Sequence, residues 1–168
     1  MLRNLFNTEL TQKSKDEWLT PPYVLEALGP FDLDPCAPVK RPWDMADIHY
    51  TEEDNGLLKA WPVGSFVWCN PPYGRETFRW LQAMAHHGDG IALIFARTET
   101  KGFHAEVWNK AHAIYFFEGR LSFHHVDGRK GGTANAASCL VAYGLRSVGR
   151  ILEAHYTGKI KGKLVELK

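Results

Sequence analysis

The chain has 168 residues, 45% of them hydrophobic and 23% charged, which suits a single domain over residues 1–168 and is too little for two of ordinary size. Six Trp, six Tyr and nine Phe, with no run of 18 apolar residues, exclude a disordered chain and a membrane-spanning helix. The net charge of +1 conceals a gradient, from −4 over residues 1–80 to +5 over residues 81–168.

The start, Met1-Leu-Arg-Asn-Leu-Phe, has neither the apolar stretch nor the cleavage site of a secretory signal, so a cytoplasmic location is expected. A helix is expected with Thr20 as N-cap, Pro21 in its first turn and Gly29 closing it. Phe31 to Asp34 reads as a short buried strand ended by Pro35. Residues 65–69 and 90–96 are near-continuous apolar runs, the pattern of strands covered on both faces. Residues 76–87 place Phe78, Leu81 and Met84 on one stripe, and residues 101–111 do the same with Phe103, Val107 and Ala111, so both read as helices. Residues 113–117 read as a further strand. Residues 120–123 and 137–143 are expected to close the fold as an antiparallel hairpin around a polar, Gly-rich loop, 125–135. Residues 145–168 read as a basic C-terminal tail with a weak helical stripe. Strand and helix alternating in this way predict an α/β fold, a doubly wound and mostly parallel sheet whose ligands gather at the carboxyl ends of its strands.

Cys36, Cys69 and Cys139 lack Cys-x-x-Cys spacing, and the pairs His86-His87 and His124-His125 lack the spacing that puts two ligands on one helix face. Reduced buried thiols are expected, with no disulfide and no metal.

The segment richest in chemistry is Asn70-Pro71-Pro72-Tyr73, followed by Gly74, directly after the buried run 65–69. Two prolines and a glycine make a rigid turn in any protein. At the mouth of an α/β sheet the same turn is suited to activating a ring-bound amine, which is a poor nucleophile because its lone pair is delocalised. Two acceptors aimed at its protons draw the nitrogen toward a tetrahedral form without a general base. Asn70 offers a side-chain carbonyl and Pro71 a backbone carbonyl, the prolines hold both in place beforehand, and Tyr73 offers a face for stacking worth about 1–3 kcal/mol per base.

These features resemble the amino methyltransferases that use S-adenosylmethionine, and in particular the small phage and prophage N6-adenine DNA methyltransferases. Trp18-Leu-Thr20-Pro21-Pro22 resembles the family's N-terminal element, and Phe31-Asp-Leu-Asp34-Pro35 its cofactor strand and turn. Asp54-Asn-Gly-Leu57 resembles its Asp-x-Gly-Leu segment, and Asn70 to Gly74 its catalytic motif; Ala96 to Thr100 and Gly119 to Phe123 match later segments. The resemblance implies an abbreviated Rossmann-like class I methyltransferase with Asn70, Pro71, Pro72 and Tyr73 as catalytic residues. It implies that S-adenosylmethionine is held by Trp18, Thr20, Pro21, Asp34, Pro35 and Asp54. The chain departs from larger methyltransferases after Asp34-Pro35, where Cys36-Ala-Pro-Val-Lys40 carries no glycine.

The partner implied is DNA, with double-stranded DNA the expectation and the oligomeric state left open. An adenine amine inside a duplex must swing out, at a cost of a few kcal/mol. Phosphate contacts from Arg75, Arg120, Arg129 and Lys130 are the expected compensation. Residues 119–168 hold nine basic and three acidic side chains, which suits a polyanion or a plain solvated surface. No segment is long enough for a separate target-recognition domain, so a short or loose target sequence is expected. The motif also serves the amine of cytosine, RNA bases and protein glutamine, and a nucleic-acid-binding relic without cofactor is the reading from another class.

Overall fold

The computed structural model describes residues 17–168; the opening segment read for a secretory signal lies outside them. Ten strands and four helices follow in chain order: β1 (Trp18–Leu19), α1 (Pro22–Leu28), β2 (Leu33–Asp34), β3 (Ile48–His49), β4 (Val67–Cys69), α2 (Thr77–His87), β5 (Gly90–Phe95), α3 (Lys101–Phe103), β6 (Ala113–Phe117), β7 (Ser122–His125), β8 (Lys130–Thr133), β9 (Ser138–Tyr143), α4 (Leu145–Tyr156) and β10 (Gly162–Glu166). The chain after α3 continues as one wide turn of π-helix, His104–Trp108. No helix of the described residues is long and apolar enough to cross a membrane, and Cys36, Cys69 and Cys139 are free thiols.

Seven strands form the main sheet in the order β10-β6-β9-β5-β4-β2-β3. The alternation of side chains along each strand sorts its residues to two faces. Phe66, Trp68, Ile91, Leu93, Tyr115, Leu140 and Ala142 pack with Val24, Leu25 and Leu28 of α1 and Ile151 and Ala154 of α4. Val67, Cys69, Ala92, Ile94, Ile114, Cys139 and Val141 pack with Leu81 and Met84 of α2 and with Phe103 and Val107. Both faces are therefore covered, which is why strands β4, β5 and β6 read as unbroken apolar runs. Gly88 closes α2 in the left-handed conformation at φ 81°, its N–H donating to the Met84 carbonyl, a position that costs a residue with a Cβ more than glycine.

Four expectations are corrected. The sheet is mixed: β2 pairs parallel with β3 and β4, and β4 with β5, whereas β9 runs antiparallel between β5 and β6, and β10 antiparallel beside β6. The hairpin of residues 120–123 with 137–143 does not form. β9 is fully buried and inserts into the main sheet, while β7 pairs instead with β8 and with β1 in a separate three-stranded sheet; the 125–135 stretch thus contains a strand and a tight turn rather than a loop alone. Thr20 caps no helix. Pro21 precedes α1 without any side-chain cap bond, and the threonine hydroxyl is used elsewhere. The stretch read as a basic tail folds as α4 and β10, the latter registered residue by residue along β6.

Candidate active site

The chain passes from β2 outward to β3 and then crosses back to β4 on the other side of β2. This reversal makes a switch point, and the crevice above it lies at the carboxyl ends of β2 and β4. Those ends are Asp34-Pro35 and Asn70-Pro71. Leu33 pairs with Val67, so the two segments are neighbours and Asn70 stands further up the rim.

The Asn70 amide is oriented by its partners. Its Nδ2 donates to the backbone carbonyl of Trp18 at 3.2 Å and to Oγ1 of Thr20 at 3.4 Å. A backbone carbonyl only accepts, so the amide nitrogen must face Trp18 and the oxygen must face away. That oxygen, Asn70 Oδ1, is buried and has no hydrogen-bond partner among the described residues. A buried acceptor without a donor costs roughly 1–3 kcal/mol, so this oxygen calls for a donor from a water or a bound molecule. Pro71 behind it is buried and Pro72 exposed. The turn is tied to α2 by Thr77, whose hydroxyl donates to the Pro72 carbonyl at 2.6 Å.

Tyr73 lies flat on Phe95, with ring centroids 4.0 Å apart and planes within 8°, and Phe123 meets it edge-on at 6.4 Å. One face of the tyrosine is therefore occupied by the last residue of β5. Its hydroxyl is buried without a partner, and burial pushes its pKa up. Phe95 went unremarked in the sequence except as part of an apolar run; its place at the end of the strand beside the motif is the signal that marks it.

Asp34 is buried, its Oδ1 accepting from the Cys36 N–H at 3.0 Å. Burial raises its carboxyl to about 7, against the lowering effects of that hydrogen bond and of Arg41. No glycine follows Asp34-Pro35, but Gly56 supplies a close approach from another segment: a Cβ there would lie 2.0 Å from the Pro35 carbonyl oxygen. The Asp54-Asn-Gly-Leu57 turn thus rests directly on the Asp34-Pro35 turn, and this role of Gly56 was not foreseen. Asp54 itself closes its own turn, Oδ2 accepting from the Thr51 N–H at 2.9 Å and Oδ1 from Lys59 Nζ at 2.9 Å. Those donors hold its carboxyl down at about 2.

The cations expected on DNA differ in their present engagements. Arg75 and Lys130 are exposed. Arg120 donates to the carbonyls of Ala134 and Asn135, and Arg129 pairs with Asp127 at 2.6 Å across the β7–β8 turn. Among the described residues no group of three or more His, Cys, Asp or Glu is placed to hold a metal ion.

A mixed sheet with helices on both faces makes this an α/β protein, with Asp34 and the Asn70 turn at neighbouring strand ends. The chain belongs to the DNA N-6-adenine-methyltransferase (Dam) family, whose model matches residues 7–148. It is thus a member of a methyltransferase family, and the segments from Trp18 to Lys130 discussed above all lie within the match. Comparison with curated proteins and with solved structures finds no match.

Proposed function

We propose that the protein transfers a methyl group from S-adenosylmethionine to the N6 amine of an adenine flipped out of double-stranded DNA, on an abbreviated Rossmann-like class I methyltransferase fold. The observation that carries this reading is the buried Asn70 oxygen, turned from the Trp18 carbonyl and without a hydrogen-bond donor among the described residues. A primary amine supplies the missing donor. Asn70 Oδ1 accepts one amine proton, the Pro71 carbonyl accepts the other, and the nitrogen gains tetrahedral character as its lone pair is freed. The proton becomes acidic only once the nitrogen carries a positive charge, so no general base is required. Tyr73 stacks on the adenine, and Phe95 holds the tyrosine ring in plane.

S-adenosylmethionine, when bound, supplies the electrophilic methyl on its sulfonium. The residues present suit it: a buried carboxyl at Asp34, whose ionised form a cation beside it favours, and a turn at Pro35 packed against Gly56 without side-chain bulk. Trp18 and Thr20 border the site through their bonds to Asn70, Pro21 follows them in the chain, and Asp54 braces the turn over Pro35. Arg75, Arg120, Arg129 and Lys130 meet DNA phosphates.

The test is incubation with unmethylated duplex DNA and labelled S-adenosylmethionine, followed by nucleoside mass spectrometry. N6-methyladenine is expected, and Asn70→Ala lowers its rate by about 10²–10³. N4-methylcytosine in its place would overturn the acceptor assignment. DNA binding with no cofactor binding would identify a relic.

A further inference from the structure

The C-terminal cations divide into two groups. Arg146 pairs with Asp89 and Arg150 donates to the Gly29 carbonyl, and both lie over the Phe66 ring, so their charges serve the packing of α4. Lys159 and Lys161 are exposed, and neither forms an ion pair among the described residues. They occupy the turn between α4 and β10 and line a cavity of about 270 Å³ with Arg120, Glu118, Tyr23 and Phe117. Three cations against one carboxylate leave the groove positive. Tyr23 stands 49% exposed beside them.

Topology fixes where this groove lies. β6 runs in the direction of β5, since both are antiparallel to β9, and Phe117 ends it. β10 starts opposite Phe117. The groove therefore opens on the same rim as Asn70, three strands away along the order β4-β5-β9-β6. At about 4.8 Å per strand the separation is about 14 Å, or about four base pairs of duplex at 3.4 Å each. Tyr23, in the first turn of α1, follows Thr20 by three residues, so the helix that starts at the Asn70 anchor leads into the groove.

We infer that this groove is a second DNA contact, in which Lys159, Lys161 and Arg120 hold backbone phosphates about four base pairs from the target adenine and Tyr23 packs on a deoxyribose. The inference rests on the DNA-methyltransferase reading, yet Lys159 and Lys161 lie beyond the residues matched to the family. Phosphate contacts at that distance anchor the duplex while the target base is out of the stack.

The test measures binding of a duplex of about 20 base pairs at several salt concentrations, alongside methyl transfer, for wild type, the double variant Lys159→Glu/Lys161→Glu, each of its single variants, and Lys168→Glu as a control matched in charge to the single variants. Lys168 follows the far end of β10, on the opposite rim. The double variant is expected to lose at least tenfold in affinity at 0.1 M salt and about 2 from its log–log salt slope. Its KM for DNA rises while kcat at saturating DNA stays within twofold, and Lys168→Glu binds within twofold of wild type. A wild type that methylates DNA and a double variant with unchanged affinity and slope overturn the groove and leave the activity standing. A wild type that binds DNA through these lysines but forms no methylated nucleoside supports the groove and sinks the activity. A wild type that does not bind DNA overturns both.

Discussion

At the scale of single residues, the site depends on an amide that cannot turn over. Rotating Asn70 by 180° would set its oxygen against the Trp18 carbonyl, two acceptors facing each other. Thr20 contributes the second contact while buried at 2% exposure, so Thr20→Val keeps the shape and removes one acceptor from the amide nitrogen. The expected outcome is a fall of about tenfold in kcat, in line with a loosened positioning group, with a thermal midpoint changed by only a few degrees. Single-turnover kinetics and a melting curve on the same preparation check it. Asp34 makes a prediction of different sign from most carboxylates. Because its folded value of about 7 lies above the ordinary 3.8, the folded chain binds the proton more tightly than the unfolded one. Its contribution to stability is complete below about pH 4 and is lost as pH rises through about 7. Asp34→Asn should therefore stabilise the cofactor-free protein at pH 8, by an amount on the order of 2–4 kcal/mol, with the difference vanishing near pH 4. Denaturant titrations across that range measure it, and the same variant should bind S-adenosylmethionine more weakly.

Among elements, the Asp54-Asn-Gly-Leu57 turn packs directly on the Asp34-Pro35 turn. Asn55 takes a left-handed conformation at φ 53°, and Gly56 then meets Pro35 with no room for a methyl group. Gly56→Ala should push the two turns apart, costing about 1–3 kcal/mol of stability and weakening cofactor affinity more than DNA affinity; calorimetric titrations with each ligand separate the two effects. Elements differed in how plainly the sequence marked them, and for physical reasons. β4, β5 and β6 were legible because burial on both faces demands unbroken apolar runs, and α2 because its stripe is apolar every three to four residues. β3 has Ile48 exposed, and β8 is Lys-Gly-Gly-Thr with no buried residue, so neither carries a hydrophobic pattern to read. The place of β9 is decided by partners well separated along the chain, Ser138 pairing with Phe95 and Tyr143 with Gly90 on one side and Cys139 with Phe116 on the other, while local order suggested a hairpin with residues 120–123. In the site, Asn70 and Asp34 were legible from motif and strand end together. The contacts of Thr20 were not, since a threonine before a proline looks like a helix cap until the fold brings Asn70 to it.

For the whole molecule, the charge gradient along the sequence becomes a gradient in space only in part. Arg146 and Arg150 are spent on packing around Phe66, whereas Lys159 and Lys161 remain at the rim, so the net positive charge of the second half overstates the surface available to DNA. With the target-side surface of residues 17–168 drawn from short turns, the protein should methylate a short or loosely defined sequence; mapping methylated sites over mixed genomic DNA checks this, and a long strict site would contradict it. Among the described residues, β1 pairs only with β7. The carbonyl that aims Asn70 is thus secured by a strand made some hundred residues later, and a nascent chain released before His125 holds every residue of the Asn-Pro-Pro-Tyr turn yet has nothing to steer it. Order at this turn is thus expected late in translation, once β7 is made and β1 pairs with it.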